Sequence, residues 1–186
     1  MSSTLTASTL EERLVRMEDR DAIREVIARY AHGLDLPDRD VFASVWTEDA
    51  VYRVDEPFGE VRGLEAITAA WDTFQLIFPS MYHHTMNVVV DGPQGDDATS
   101  TSFALVTGTD AEGTAWTASC VYHDTFRRVE GRWLLAERYD KVNYMVPWLQ
   151  PLGLDPAGRL YVDPGLIGRL VEAGSRLQAA GRHPRC

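Results

Sequence analysis

From Thr85 to about Tyr144 the chain reads as four strands in succession, joined by turns short enough to be hairpins. Thr85 to Asp91 is closed by Gly92-Pro93-Gln94-Gly95-Asp96-Asp97, Ala98 to Thr109 by Ala111-Glu112-Gly113, and Thr114 to Val129 by the two-residue Glu130-Gly131, which leads into Arg132. Strands joined so closely pair antiparallel, because a parallel neighbour needs a crossover of about a dozen residues or more. What precedes them is helical. From about Leu10, the residues Ile23, Val26, Ile27, Tyr30, Ala31 and Leu34 form one apolar stripe. A short helix is expected from Asp38, its N-cap, to Trp46, with Val41, Phe42 and Val45 inward. Two short strands follow, Ala50 to Val54 and Gly59 to Arg62. A third helix spans Leu64 to Phe78, with Leu64, Ile67, Trp71 and Phe74 on one face and Pro79 as its stop. Three helices followed by a run of strands predict an α+β fold, a curved antiparallel sheet with helices packed on one face, shaped as a cone with one open end.

At 186 residues the chain is expected to hold one domain, 10–144. It is flanked by a Ser/Thr-rich, disordered segment at 1–9 and a Pro-rich extension at 145–186 that carries Pro147, Pro151, Pro156 and Pro164. A terminal helix should start at Pro164 with Asp163 as its cap. Acidic residues outnumber basic ones 28 to 18, a formal charge of −10, which argues against nucleic acid or an anionic membrane as partner and favours a small hydrophobic substrate. The first ten residues lack a basic start and a long apolar run, and no later stretch approaches a membrane span, so a cytoplasmic location is expected. Cys120 and Cys186 make no disulfide framework.

The residues that could carry chemistry fall in two stretches. In Tyr30-Ala31-His32-Gly33-Leu34-Asp35 the long helix ends, with Gly33 read as a left-handed C-cap and Asp35 just beyond the last turn. A carboxylate there meets the negative end of the backbone dipole and needs a compensating partner, unless it is simply solvated in the turn Asp35-Leu36-Pro37-Asp38. In Met81-Tyr82-His83-His84-Thr85-Met86-Asn87 two adjacent histidines point to opposite faces if the chain is extended, so only one can face the core. Tyr30 lies on the apolar stripe, and once buried its hydroxyl needs a partner. Tyr52, Trp116 and other aromatics could line an apolar cavity. The histidines His32, His83, His84 and His123 have no metal-binding spacing, and phosphate loops, nucleophile elbows and dinucleotide fingerprints are absent, so neither a metal nor an organic cofactor is expected.

Taken together, Tyr30-x-x-Gly33-Leu34-Asp35, Phe42-Ala43-Ser44-Val45-Trp46-Thr47-Glu48-Asp49-Ala50, Gly63 before a helix, His83-x-x-x-Asn87 and Phe126-Arg127-Arg128-Val129-Glu130-Gly131-Arg132-Trp133 resemble the SnoaL-like branch of the nuclear-transport-factor-2-like superfamily. The likeness spans roughly Leu10 to Tyr144 and is nearest to the dehydrochlorinases and bile-acid 7α-dehydratases of that group. It implies a cystatin-like α+β cone with a deep apolar cavity, in homodimers or homotrimers, and a cofactor-independent lyase in which an Asp–His pair abstracts a proton. An isomerase, a polyketide cyclase or a non-catalytic ligand-binding module on the same cone are the alternatives. The resemblance maps the pair onto Asp35 and His83, or His84 if the register shifts by one. It maps a leaving-group position onto Tyr30, a cavity aromatic onto Tyr52, and a cation near the departing anion onto Arg138, followed by Asn143-Tyr144-x-x-Pro147. The acid that bile-acid dehydratases carry on the strand after the histidine is replaced by Val106, which argues against a steroid dehydratase.

Overall fold

The computed structural model describes residues 9–147. The expected disordered segment, apart from Thr9, and the Pro-rich extension beyond Pro147 with its terminal helix lie outside the described residues. Thr9 is the N-cap of helix α1, Leu10–Asp35, and exchanges hydrogen bonds with Glu12: the Glu12 N–H donates to the Thr9 hydroxyl at 3.1 Å and the Thr9 N–H to the Glu12 carboxylate at 2.8 Å. The helix ends later than Gly33 suggested. Leu36 is its C-cap, and Gly33 lies inside the last turn because α2, Arg39–Ala43, crosses there. A Cβ at Gly33 would stand 2.6 Å from the Phe42 backbone nitrogen and 2.7 Å from its Cα. Gly33→Ala should therefore cost about 2 kcal/mol by overpacking, outweighing the better helix propensity of alanine, and should lower the urea midpoint.

Helix α2 is shorter than its apolar pattern implied. Its cap is as expected, with the Asp38 carboxylate accepting the Val41 N–H at 3.0 Å. Trp46, however, already begins strand β1, Trp46–Val54, because it pairs with Leu135 while the Leu135 N–H donates to the Val45 carbonyl at 2.7 Å. The remaining elements are β2 (Gly59–Arg62), α3 (Leu64–Ile77), β3 (Ser80–Gln94), β4 (Asp97–Thr109), β5 (Ala115–Val129) and β6 (Arg132–Pro147). The six strands form one unclosed sheet of order β2-β1-β6-β5-β4-β3, with α1 packed against β3 and β6. Four of the five pairings are antiparallel, as the hairpins required, and β1 runs parallel to β6. Register shifts between Met86 and Val89, where Asn87 takes φ 53°, between Ser119 and Cys120, and between Thr125 and Phe126 mark the irregularities that bend such a sheet.

The concave side holds the core. Ile23, Ile27, Tyr30 and Leu34 of α1 meet Phe42, Trp46, Ala50 and Ile67 and the inward residues of β5 and β6, among them Phe126 and Leu135. Asp19 fixes the first half of α1 to the sheet: it accepts the Trp133 indole N–H at 3.0 Å and an Arg128 N–H at 2.8 Å, with the Arg128 guanidinium 4.4 Å over the Trp133 ring.

Candidate active site

The end of α1 is positioned by α3. The Trp71 indole N–H donates to the Gly33 carbonyl at 3.0 Å and the Gln75 amide to the Leu34 carbonyl at 3.1 Å, satisfying carbonyls that a helix C-terminus leaves unpaired. That anchoring aims the Asp35 side chain at β3. Strand β3 begins at Ser80, five residues earlier than its sequence pattern suggested, so both histidines sit within the strand and point to opposite faces. His83 faces inward. Its Nδ1 is 2.6 Å from Asp35 Oδ1, and its backbone N–H donates to Asp35 Oδ2 at 2.7 Å. The side chains are 7% and 14% exposed, respectively. A carboxylate can only accept, so Nδ1 carries the proton of this contact, and in the neutral imidazole the lone pair lies on Nε2. His84 is exposed on the outer face, opposite Leu105 of β4.

Beside this pair, Tyr30 and Tyr52 share a hydrogen bond of 3.0 Å between their hydroxyls. Burial pushes the Tyr30 phenol up to about 12 and Tyr52 well above the ordinary tyrosine value, so both are neutral near pH 7. Tyr30 is the hub of the aromatic cluster, touching Phe42, Trp46, Tyr52, Tyr122 and, edge-on at 6.2 Å between centroids, His83. Arg138 does not reach the pocket wall. It is completely buried, its guanidinium gripped by both Asp124 oxygens at 2.7 Å and stacked behind the rings of Tyr30 at 4.0 Å and Tyr122 at 4.3 Å.

One pocket brings these groups together. Its walls include Tyr30, Tyr52, His83, Tyr122 and Asp140, with Val106, Phe74, Phe78 and Trp116 among the apolar lining. The free space is about 60 Å³, and Phe58 and Met145 are the most exposed of its lining residues. Among the described residues the indole N–H of Trp116 meets no hydrogen-bond partner. Asn143 is not part of the wall: it sits exposed at the β5–β6 register shift, its amide 3.4 Å from the Ser119 hydroxyl. Among the described residues no three His, Cys, Asp or Glu side chains gather to hold a metal ion, and no helix is long and apolar enough to cross a membrane.

The family model for the SnoaL-like domain matches residues 15–139, two thirds of the sequence. The chain belongs to that family. Among relatives, it is 27% identical over 152 residues to hexachlorocyclohexane dehydrochlorinase 1 of Sphingobium indicum, covering 79% of this chain and 96% of the relative. It is 25% identical over 136 residues to the gamma-hexachlorocyclohexane dehydrochlorinase of the same species, covering 72% and 86%. Among solved structures, a type 2 hexachlorocyclohexane dehydrochlorinase, LinA, superposes with a TM-score of 0.67 at 21% identity, over 80% of this chain and 96% of that one. An NTF2-like protein of cystatin-like fold from Novosphingobium aromaticivorans gives 0.65 at 29% identity, over 76% and 92%. The α+β cone read from the sequence is thus the fold of this SnoaL-like protein.

Besides Asp19, two buried carboxyls on β5 and β6 were not singled out in the sequence. Asp124 neutralises Arg138, and Asp140 lines the pocket, 8% exposed, with no hydrogen-bond partner for its Oδ1 among the described residues. Burial pushes Asp140 up to about 6, opposed by Cys120, Arg138 and His83 and reinforced by Asp55. Because its folded value lies above the ordinary 3.8, the stability it contributes is complete below that value and is lost as pH rises through 6. Two units correspond to about 3 kcal/mol. Asp140→Asn should therefore gain up to about 3 kcal/mol relative to the parent between pH 4 and pH 8, read as a growing difference in melting temperature.

Proposed function

We propose that this SnoaL-like protein is a cofactor-independent lyase of the dehydratase or dehydrohalogenase type, with His83 as general base. The observation that carries the reading is the 2.6 Å contact of Asp35 with His83 Nδ1 beside a pocket that the same imidazole lines. With Nδ1 protonated and held by the carboxylate, Nε2 offers its lone pair to a carbon-bound proton, and Asp35 stabilises the imidazolium that forms. Tyr30, a neutral phenol tied to Tyr52, donates to the substrate oxygen or leaving group that gains charge. Arg138 acts from behind, its charge felt through the Tyr30 ring rather than by touching the departing group. The dehydrochlorinase relatives support the lyase reading over an isomerase or polyketide cyclase with the same pair. Incubating the full chain with a panel of small hydrophobic alcohols, halides and ketones tests it by mass spectrometry. A product lighter by water or an acid supports the proposal, a product of unchanged mass points to isomerisation, and binding without conversion points to a ligand carrier.

A further inference from the structure

Four aromatic rings stand in a row along the pocket, and the chemistry of His83 and Tyr30 uses none of them. Phe58, in the turn between β1 and β2, packs on Phe74 of α3 at 5.8 Å between centroids, Phe74 on Phe78 at the end of α3 at 5.7 Å, and Phe78 on Trp116 of β5 at 4.9 Å. All four line the pocket that His83 lines, and the row leads inward, from Phe58, 43% exposed, to Trp116, 7% exposed. The rings are tilted to one another by 35°, 40° and 59°, so none covers its neighbour's face completely. Trp116 is fixed at the inner end by Phe78 and by β4, where a Cβ on Gly108 would stand 3.1 Å from its Cζ2. Its indole N–H is the one polar side-chain group of the row. It is buried and meets no hydrogen-bond partner among the described residues, a state that costs free energy unless an acceptor meets it.

That row discriminates among apolar guests. An aliphatic wall rewards buried area of any shape, whereas an aromatic wall adds the attraction between ring faces and the edge of a guest ring, at centroid separations of about 4.5–7 Å. The N–H at the inner end can only donate, and so asks the guest for an acceptor atom. Resting on the lyase reading above, we propose that Phe58, Phe74, Phe78 and Trp116 form an aryl-binding subsite, that the substrate is a small aryl ketone with a hydrogen-bond acceptor on the far side of its ring, and that Trp116 determines this specificity by donating to the acceptor. The carbonyl end of such a substrate is left to Tyr30 and His83, so one set of residues holds the ring and another meets the reacting carbon. Binding energy from the ring then serves to position the carbon at the imidazole.

The test compares binding of acetophenone and cyclohexyl methyl ketone to the full chain by titration calorimetry. Cyclohexyl is the larger and more apolar ring, so a pocket that selects by apolar burial alone prefers it. The aryl subsite should instead favour acetophenone by about threefold to tenfold. Phe74→Leu, which keeps the wall apolar, should bring that ratio to within about twofold, with circular dichroism to verify folding. 4′-Methoxyacetophenone should bind about threefold to tenfold tighter than 4′-ethylacetophenone, a near isostere without the acceptor. Trp116→Phe should erase this second preference and keep most of the first. Equal or tighter binding of the cyclohexyl ketone by the parent, or binding of neither ring, overturns the subsite. A methoxy preference that is absent from the parent, or that survives Trp116→Phe, overturns the role of Trp116. Turnover of 4-hydroxy-4-phenylbutan-2-one, its chloro counterpart and the two cyclohexyl analogues separates this proposal from the lyase reading. Aryl-selective binding without loss of water or acid supports the subsite while counting against the lyase reading, whereas elimination with no aryl preference in kcat/KM overturns the subsite and leaves the His83 reading intact.

Discussion

Replacing His83 by alanine is expected to lower kcat by about 10²–10⁴ with little change in KM, because a general base acts in the transition state and contributes little to holding the ground state. Asp35→Asn should fall in the same range for a different reason. The asparagine amide can present its NH₂ to Nδ1, which favours the tautomer with its proton on Nε2 and removes the lone pair from the side of the pocket. The two losses should not add. Once either member is gone the other has no catalytic task, so the double variant should be about as slow as the slower single one. Steady-state kinetics on a β-substituted ketone, with circular dichroism to verify folding, check this. Near-normal turnover by both single variants would remove His83 and Asp35 from the mechanism.

Asp124→Ala is expected to be the most destabilising single change at the site. It leaves the fully buried Arg138 guanidinium without either of its two 2.7 Å partners, and an uncompensated buried charge costs about 3–5 kcal/mol. At this chain length that corresponds to a fall of roughly 6–20 °C in melting temperature. Replacing both partners by apolar residues of similar volume, as in Asp124→Leu with Arg138→Met, should restore most of the stability. It should not restore full activity, because the Tyr30 phenol rests on the guanidinium and loses the cation that favours charge on its oxygen. Differential scanning of the three variants, together with rates, separates stabilisation of the core from tuning of the phenol.

Most element types were legible because they rest on local periodicity. The α1 stripe, the α3 stripe and the four long strands announce themselves at spacings of about 3.6 and 2 residues. Boundaries were less legible wherever a distant partner decides them. Gly33 looks like a helix cap in isolation and is instead a point of close approach to Phe42, and Trp46 leaves α2 because Leu135 pairs with it. Of the site, Asp35, His83, Tyr30, Tyr52 and Trp116 could be nominated from the sequence and are brought together. His84 and Asn143 are not, since adjacent strand residues face opposite ways and the β6 register shift turns Asn143 outward. Asp140 was hidden by another shift. Trp133, Leu134 and Leu135 are all buried, and only after the irregularity before Glu137 does an alternation settle that buries Arg138 and Asp140. Charges at buried strand positions are the signal that would have found Asp124 and Asp140, had the register been known.

The order of residues alone thus settles which segments coil and which extend, and that successive strands fold back on one another, because those preferences act over a few residues. Tertiary structure alone sets the parallel contact of β1 with β6, the seclusion of Arg138 behind two phenols, and the placing of Asp140 in one chamber with His83. Each depends on the alignment of strands distant along the chain, where a shift of one residue exchanges the buried and exposed faces and local preference is indifferent to the choice.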